Sequence, residues 1–242
     1  MRTALHHGPM RSSFSLVGWQ KITLMLSLLP VSLVVAGCTT EQGSGSGTKQ
    51  GSGSGNVTRE TRSVSGFSEV ALSGTGNLTI RQTGSESLTI EAEDNVIPYI
   101  DTTVENNRLS ITTRNMIPTP TQPINYELTV KDLSALQLLG AGTIDASGIS
   151  TDSLNATASG TGDIRVAGKV NSQDVTVLGA GSYKAGDLQS KQAKINISGA
   201  GNAIVNVSDE LDAAISGAGS VEYIGNPTVN RNITGFGSVS RR

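Results

Sequence analysis

In the second half of the chain, apolar and polar residues alternate in short runs, and each run ends in a glycine pair. Ala156 and Ala158, Val175 and Val177, Ile195 and Ile197, and Ala213 and Ile215 each alternate with polar neighbours just before such a pair. After it the alternation resumes, as in Asp163-Ile164-Arg165-Val166, Ser182-Tyr183-Lys184-Ala185 and Asn202-Ala203-Ile204-Val205. A period of two means a strand with one buried face. The pairs are Gly140/Gly142, Gly160/Gly162, Gly179/Gly181, Gly199/Gly201, Gly217/Gly219 and Gly235/Gly237, at spacings of 20, 19, 20, 18 and 18 residues. An earlier copy, Gly74/Gly76, stands alone.

A second corner falls midway in each unit, at Gly148, Gly168, Gly186, Ser208-Asp209 and Gly225-Asn226-Pro227. Glycine at both corners is expected to supply positive φ. Two strands and two corners in 18–20 residues cannot bury their apolar face alone, whereas coils stacked at about 4.8 Å can. The pattern predicts an all-β fold, a parallel β-helix or β-solenoid whose six regular coils run roughly 30 Å. The crossover rule points to a right-handed coil. Abundant inward alanine implies a narrow core; a meander or sandwich of hairpins is the alternative. Tyr183 and Tyr223 fall in the inward phase.

The part from residue 56 to about 135 is less regular. Strands are predicted at Val70–Leu72, Leu78–Ile80, Leu88–Ile90, Leu109–Ile111 and Tyr126–Val130, with turns at Gly84-Ser85 and Asn106-Asn107. Pro118, Pro120 and Pro123 mark an extended loop. This part is expected to form irregular coils or hairpins that cap the stack.

The first 37 residues hold no acidic side chain; Arg2, Arg11 and Lys21 precede an apolar run from Ile22 to Ala36. That run is short for a membrane span and has the order of a secretory signal, although a single-pass anchor is the alternative. Val35-Ala36-Gly37-Cys38 ends it with the sole cysteine. The tetrapeptide resembles the lipobox of bacterial lipoproteins, which implies cleavage between Gly37 and Cys38, lipidation of Cys38, and an envelope location, the outer membrane in a two-membrane cell. Met10 is an alternative start. Thr39–Gly55 reads TTEQGSGSGTKQGSGSG, a flexible tether of roughly 20–25 Å. The expected organisation is a signal peptide (1–37), a lipidated Cys and tether (38–55), and a β-solenoid domain (56–242).

Composition narrows the chemistry. Without the leader the chain carries 15 basic and 20 acidic residues, a net charge near −5, with no basic patch for nucleic acid. Both histidines, His6 and His7, lie in the leader, so neither a Ser-His-Asp nor a Cys-His device can form after cleavage. Paired carboxylates are the remaining catalytic option. The candidates are Glu91, Glu93 and Asp94, and Asp209, Glu210 and Asp212; each cluster sits near a strand end, where solvated charge is ordinary. Gly160-Thr161-Gly162-Asp163 is similar to a calcium nonapeptide, but Thr143, Ser182, Asn202, Ser220 and Ser238 occupy the equivalent positions. One aspartate cannot build a calcium shell, so a ladder of small turn-capping side chains is expected and no metal or cofactor. The six-residue beat of acyltransferase β-helices is absent. Six Asn-x-Ser/Thr triplets follow from Asn- and Ser-rich corners.

The Gly-x-Gly corners, the opening Val64-Ser65-Gly66-Phe67-Ser68-Glu69-Val70 with Leu78-Thr79-Ile80, and the leader together resemble the head GIN domain family of autotransporter adhesins over about residues 57–240. The resemblance implies a β-helix similar in shape to pectin lyases but without their catalytic residues, and a role in adhesion. The expected function is a non-enzymatic, lipid-anchored surface module that presents Thr176, Gln192, Lys194 and Asn196 along a sheet face to a surface polysaccharide or protein. The rival is a polysaccharide-binding or polysaccharide-active protein, and a plain structural lipoprotein is a third reading.

Overall fold

The computed structural model describes residues 51–242 apart from residue 115. The leader, Gly37, Cys38 and the first part of the tether lie outside the described residues.

The chain forms β1 (Val57–Arg62), β2 (Glu69–Ser73), β3 (Asn77–Gln82) and β4 (Ser87–Glu93), a 3-10 turn at Ile97–Tyr99, then β5 (Ile100–Glu105), β6 (Arg108–Thr113), β7 (Asn125–Val130) and β8 (Ala135–Leu138). Four long strands follow: β9 (Thr143–Ala158), β10 (Asp163–Val177), β11 (Ser182–Ile197) and β12 (Asn202–Ile215). The last are β13 (Ser220–Ile224), β14 (Thr228–Ile233) and β15 (Ser238–Arg241). Together they make a β-solenoid of about five stacked parallel turns.

Each long strand serves two sheets. The first half of β9 pairs with β3, and its second half with β8. Likewise β12 pairs with β13 through Asn202–Asn206 and with β14 through Glu210–Ile215. Sheet one therefore runs β1-β4-β7-β3-β9-β10-β11-β12-β13-β15. Sheet two runs β5-β6-β2-β8-β9-β10-β11-β12-β14. The second corner is thus a bend inside one strand, with register shifts near Gly168 and between Ala185 and Gln189; β-bulges bend strands in this way. Only at Gly225–Pro227 does it break the strand in two. The antiparallel pairs β1–β4, β4–β7 and β5–β6 form the irregular N-terminal part.

Parallel register stacks like positions. Ile144, Ile164, Tyr183, Ala203 and Val221 make one inward column. Ala158, Val177, Ile197 and Ile215 make another, and every member of both is buried. Each large side chain so buried contributes about 1.5–3 kcal/mol. A polar network interrupts the core of the regular coils: buried Gln173 accepts from Tyr183 Oη (3.1 Å) and donates to Ser190 Oγ (2.7 Å). Ser190 Oγ in turn donates to the Asn206 carbonyl (2.8 Å), so the network is satisfied throughout. Tyr183 is wholly buried, as its phase predicts, and burial pushes its phenol pKa up; Tyr223 is only half-buried.

The Gly-x-Gly corners differ from expectation in their cause. None of the twelve glycines from Gly140 to Gly237 in these pairs has positive φ. They stack instead. A Cβ on Gly160, Gly179, Gly199, Gly217 or Gly235 would strike the carbonyl oxygen of the matching glycine one coil earlier. The second glycines repeat this, Gly162 on Gly142, Gly181 on Gly162, Gly201 on Gly181 and Gly219 on Gly201. Corner-to-corner hydrogen bonds such as Ala200 N to Gly179 O (3.1 Å) and Ala218 N to Gly199 O (3.1 Å) hold the ridge at that separation. Gly74 and Gly76 are its first rung, because Gly140 and Gly142 lie directly on them. Positive φ is confined to the second corner, at Gly148 (70°), Gly168 (145°) and Gly225 (112°), and to turns in the N-terminal part.

Candidate functional site

The first acidic cluster does not converge. Glu91 pairs with Arg59 (2.6 Å), and Asp94 accepts from Ser54 Oγ and Asn56 Nδ2 (2.9 Å). Glu93 is buried and makes no ion pair among the described residues. Its carboxylate accepts from Gly55 N (2.7 Å), Thr121 N (2.9 Å) and Thr121 Oγ1 (2.5 Å). These donors, Thr121 Oγ1 foremost, hold its pKa below the ordinary carboxylate range despite burial.

Glu93 therefore acts as a clasp. It fastens the end of the Gly/Ser run to the N-terminal part, where Gly53 N donates to Thr119 O (2.8 Å) and Thr119 N to Gly51 O (2.9 Å). Asn95 closes the other side through Ser54 N and Ser52 O. Gly53 lies so close to the carboxylate that a Cβ there would collide with it. Residues 51–55 are thus held against the domain rather than free.

A depressed folded pKa gives stability that is present above the unfolded value, about 4.3, and lost as pH falls through the folded one. Glu93→Gln sets a donor amide against donor N–H groups. At neutral pH it is expected to speed amide exchange at Gly53, Gly55 and Thr121 and lower the thermal midpoint. In strong acid the two midpoints should converge; a gap that persists there would show that the charge is not what holds the clasp.

Of the second cluster, Glu210 and Asp212 lie on the outward face of sheet two and Asp209 at the corner before it. Glu210 and Asp212 share the Asn230 side-chain amide, at 3.4 and 2.9 Å, whereas Asp209 is bonded to its neighbour Ser208. Register lines up Asn155, Asp174, Lys194, Asp212 and Asn230 in one row. Thr157, Thr176, Asn196, Ala214 and Asn232 form the next, and Ser153, Ser172, Gln192, Glu210 and Thr228 a third. The sequence-predicted Thr176, Gln192, Lys194 and Asn196 are therefore brought together, each row repeating at about 4.8 Å. A recess of about 290 Å³ on this face collects Asp174, Lys194, Glu210 and Asp212. No group of three His, Cys, Asp or Glu side chains among the described residues is placed to hold a metal ion. Asp163 is instead paired with Lys184 (2.6 Å) and Arg165 (3.1 Å), and Asn202 Oδ1 accepts from Ser220 N and Oγ, a capping ladder between coils.

The fold can be set beside known proteins. No curated protein matches the chain. A crystal structure from Bacteroides fragilis, described as a "putative adhesin", superposes with a TM-score of 0.66 at 21% identity, covering 79% of this chain and 99% of that one. Two structures from Parabacteroides distasonis, one described as a "putative lipid binding protein" and one as a "putative adhesin", give TM-scores of 0.48 and 0.44 at 23% and 20% identity. Each covers 79% of this chain, and 98% and 99% of its own. Residues 66–227 match the sequence profile described as "Putative auto-transporter adhesin, head GIN domain", and the chain belongs to that family.

Proposed function

We propose that the chain is a lipid-anchored surface module that binds without turnover, and that its contacts are made by the outward face of sheet two. The observation that carries this reading is the three-row ladder of Ser, Thr, Asn, Gln and charged side chains in register across β9–β12 and β14. Such a ladder offers many weak contacts at a fixed repeat, and its strength comes from multivalency. Membership of an adhesin family supports a place at the cell surface or envelope. Cys38 in its lipobox-like setting supplies the anchor, and the part of the Gly/Ser run before residue 51 the stand-off.

The shared amide of Glu210 and Asp212 beside Asp174 keeps a polysaccharide-active reading testable. Incubated with pectic, chitin-like and peptidoglycan substrates, the chain is expected to bind without releasing reducing ends or unsaturated products. Release that disappears on changing Glu210 or Asp212 would make it an enzyme. In a bacterial host the wild-type chain should take up a fatty-acid label that Cys38→Ser does not; unlabelled, soluble wild-type protein would remove the anchor from the proposal.

A further inference from the structure

We infer that sheet one carries a separate site, a groove for sugars that bear a carboxylate; this rests on the surface-binding role proposed above and names a ligand class for a different face. A groove of about 550 Å³ lies on the outward side of sheet one beside the second corner, a volume suited to a small ligand. Outward positions of this sheet are mostly polar: the row through Thr79, Asp145, Arg165 and Lys184 continues to Glu222. Ile204 interrupts that row, and Ile224 lies near it; both are half-buried and line the groove.

Gly186 keeps these two side chains accessible. Its φ is not positive, and a Cβ there would meet only Ile224 at 3.4 Å and Ile204 at 3.6 Å. Neither backbone conformation nor close packing requires glycine at this position, unlike the ridge glycines. What the missing side chain provides is open space over an apolar floor.

The rim specifies the rest of the ligand. Arg165, Lys184 and Arg242 bring three cations to the groove, Arg242 at the 4.0 Å edge of an ion pair with Glu222. Arg165 and Lys184 share the single carboxylate of Asp163, which leaves further N–H donors on both. Asp145 and Asp187 also line the groove, Asp145 next to Arg165 in the row, and neither side chain makes a hydrogen bond or ion pair among the described residues. A ligand that fits must offer a carboxylate to the cations, hydroxyls to the two aspartates, and a C–H face to the isoleucines. An acidic sugar has all three. A fatty acid would satisfy the cations and the floor but would press its alkyl chain against two unpaired carboxylates, which is unfavourable. A nucleic acid would meet the same aspartates with its phosphates and find no aromatic surface for its bases.

The test is calorimetry of the full chain with an oligosaccharide of glucuronic acid and with the same oligomer reduced to the neutral sugar. The acidic oligomer should bind at least tenfold more tightly, and more weakly as salt rises. Gly186→Val, which fills the groove, and Lys184→Gln, which removes a cation without touching the core, should each lower its affinity at least tenfold while leaving the thermal midpoint in place. Equal binding of the two oligomers, or none of either, would overturn the inference. So would uptake of a fluorescent fatty acid that Gly186→Val abolishes, which would make this a lipid groove. Attachment to cells that survives both substitutions while glucuronate binding is absent would remove this groove and leave the sheet-two reading standing.

Discussion

Replacing Gly199 by alanine is expected to destabilise the domain by at least about 3 kcal/mol, although it adds one methyl group. The new Cβ would strike the Gly179 carbonyl, with the Leu178 carbonyl behind it. Both belong to backbone held in the corner-to-corner ladder, so no side-chain rotation relieves the contact. Coils 199 and 179 must separate, and that strains the hydrogen bond from Ala200 to Gly179 on the same ridge. The control is Gly84→Ala. Gly84 has φ of 81° but nothing within 4 Å of a Cβ, so alanine there incurs only the strain of a left-handed backbone, about 1 kcal/mol. Urea unfolding of both variants separates the two causes. Equal losses would mean that the ridge glycines serve backbone conformation after all.

A charge on the inward face has a comparable effect by another route. Ile197 is 1% exposed and stacks between Val177 and Ile215; Asn196, its neighbour, points outward from sheet two. Ile197→Asp must either bury a carboxylate with no partner or open the coil, and is expected to cost about 4 kcal/mol. Asn196→Asp stays solvated and should cost about 0.5 kcal/mol or less. The thermal midpoints of the two variants are the check, and similar losses would put the inward phase in error.

That phase was legible because parallel stacking keeps one face buried over many coils, so alternation survives in single units such as Val175-Thr176-Val177. The period of the glycine pairs likewise set the coil length. What the pairs do was harder to read, because glycine demanded by positive φ and glycine demanded by a neighbouring backbone look alike in one dimension. Gly74/Gly76 shows the same limit: it looks isolated because β3 to β8 intervene before the ridge resumes at Gly140.

Long-range partners hid the clasp. Glu93 gathers donors from Gly55 and Thr121, neither near it in the chain, so it read only as one member of an acidic run. Two features did leave a signal. Polar Gln173 occupies an inward place two residues before Val175, and Asn202-Ala203-Ile204-Val205, though in phase with the other alternating runs, puts apolar Ile204 where the outward face should be polar. The first is the buried network with Tyr183 and Ser190; Ile204 is part of the floor of the sheet-one groove.

The division between an inward face that holds the fold and an outward face that binds is tested most directly by attachment of the full chain to intact cells after Thr176, Lys194 and Asn196 are changed to alanine singly and together. These three side chains are outward and adjacent on β10 and β11. Attachment should fall in small cumulative steps, with the triple variant weakest and the thermal midpoint within a few degrees of wild type. Undiminished attachment by a folded triple variant would contradict the account.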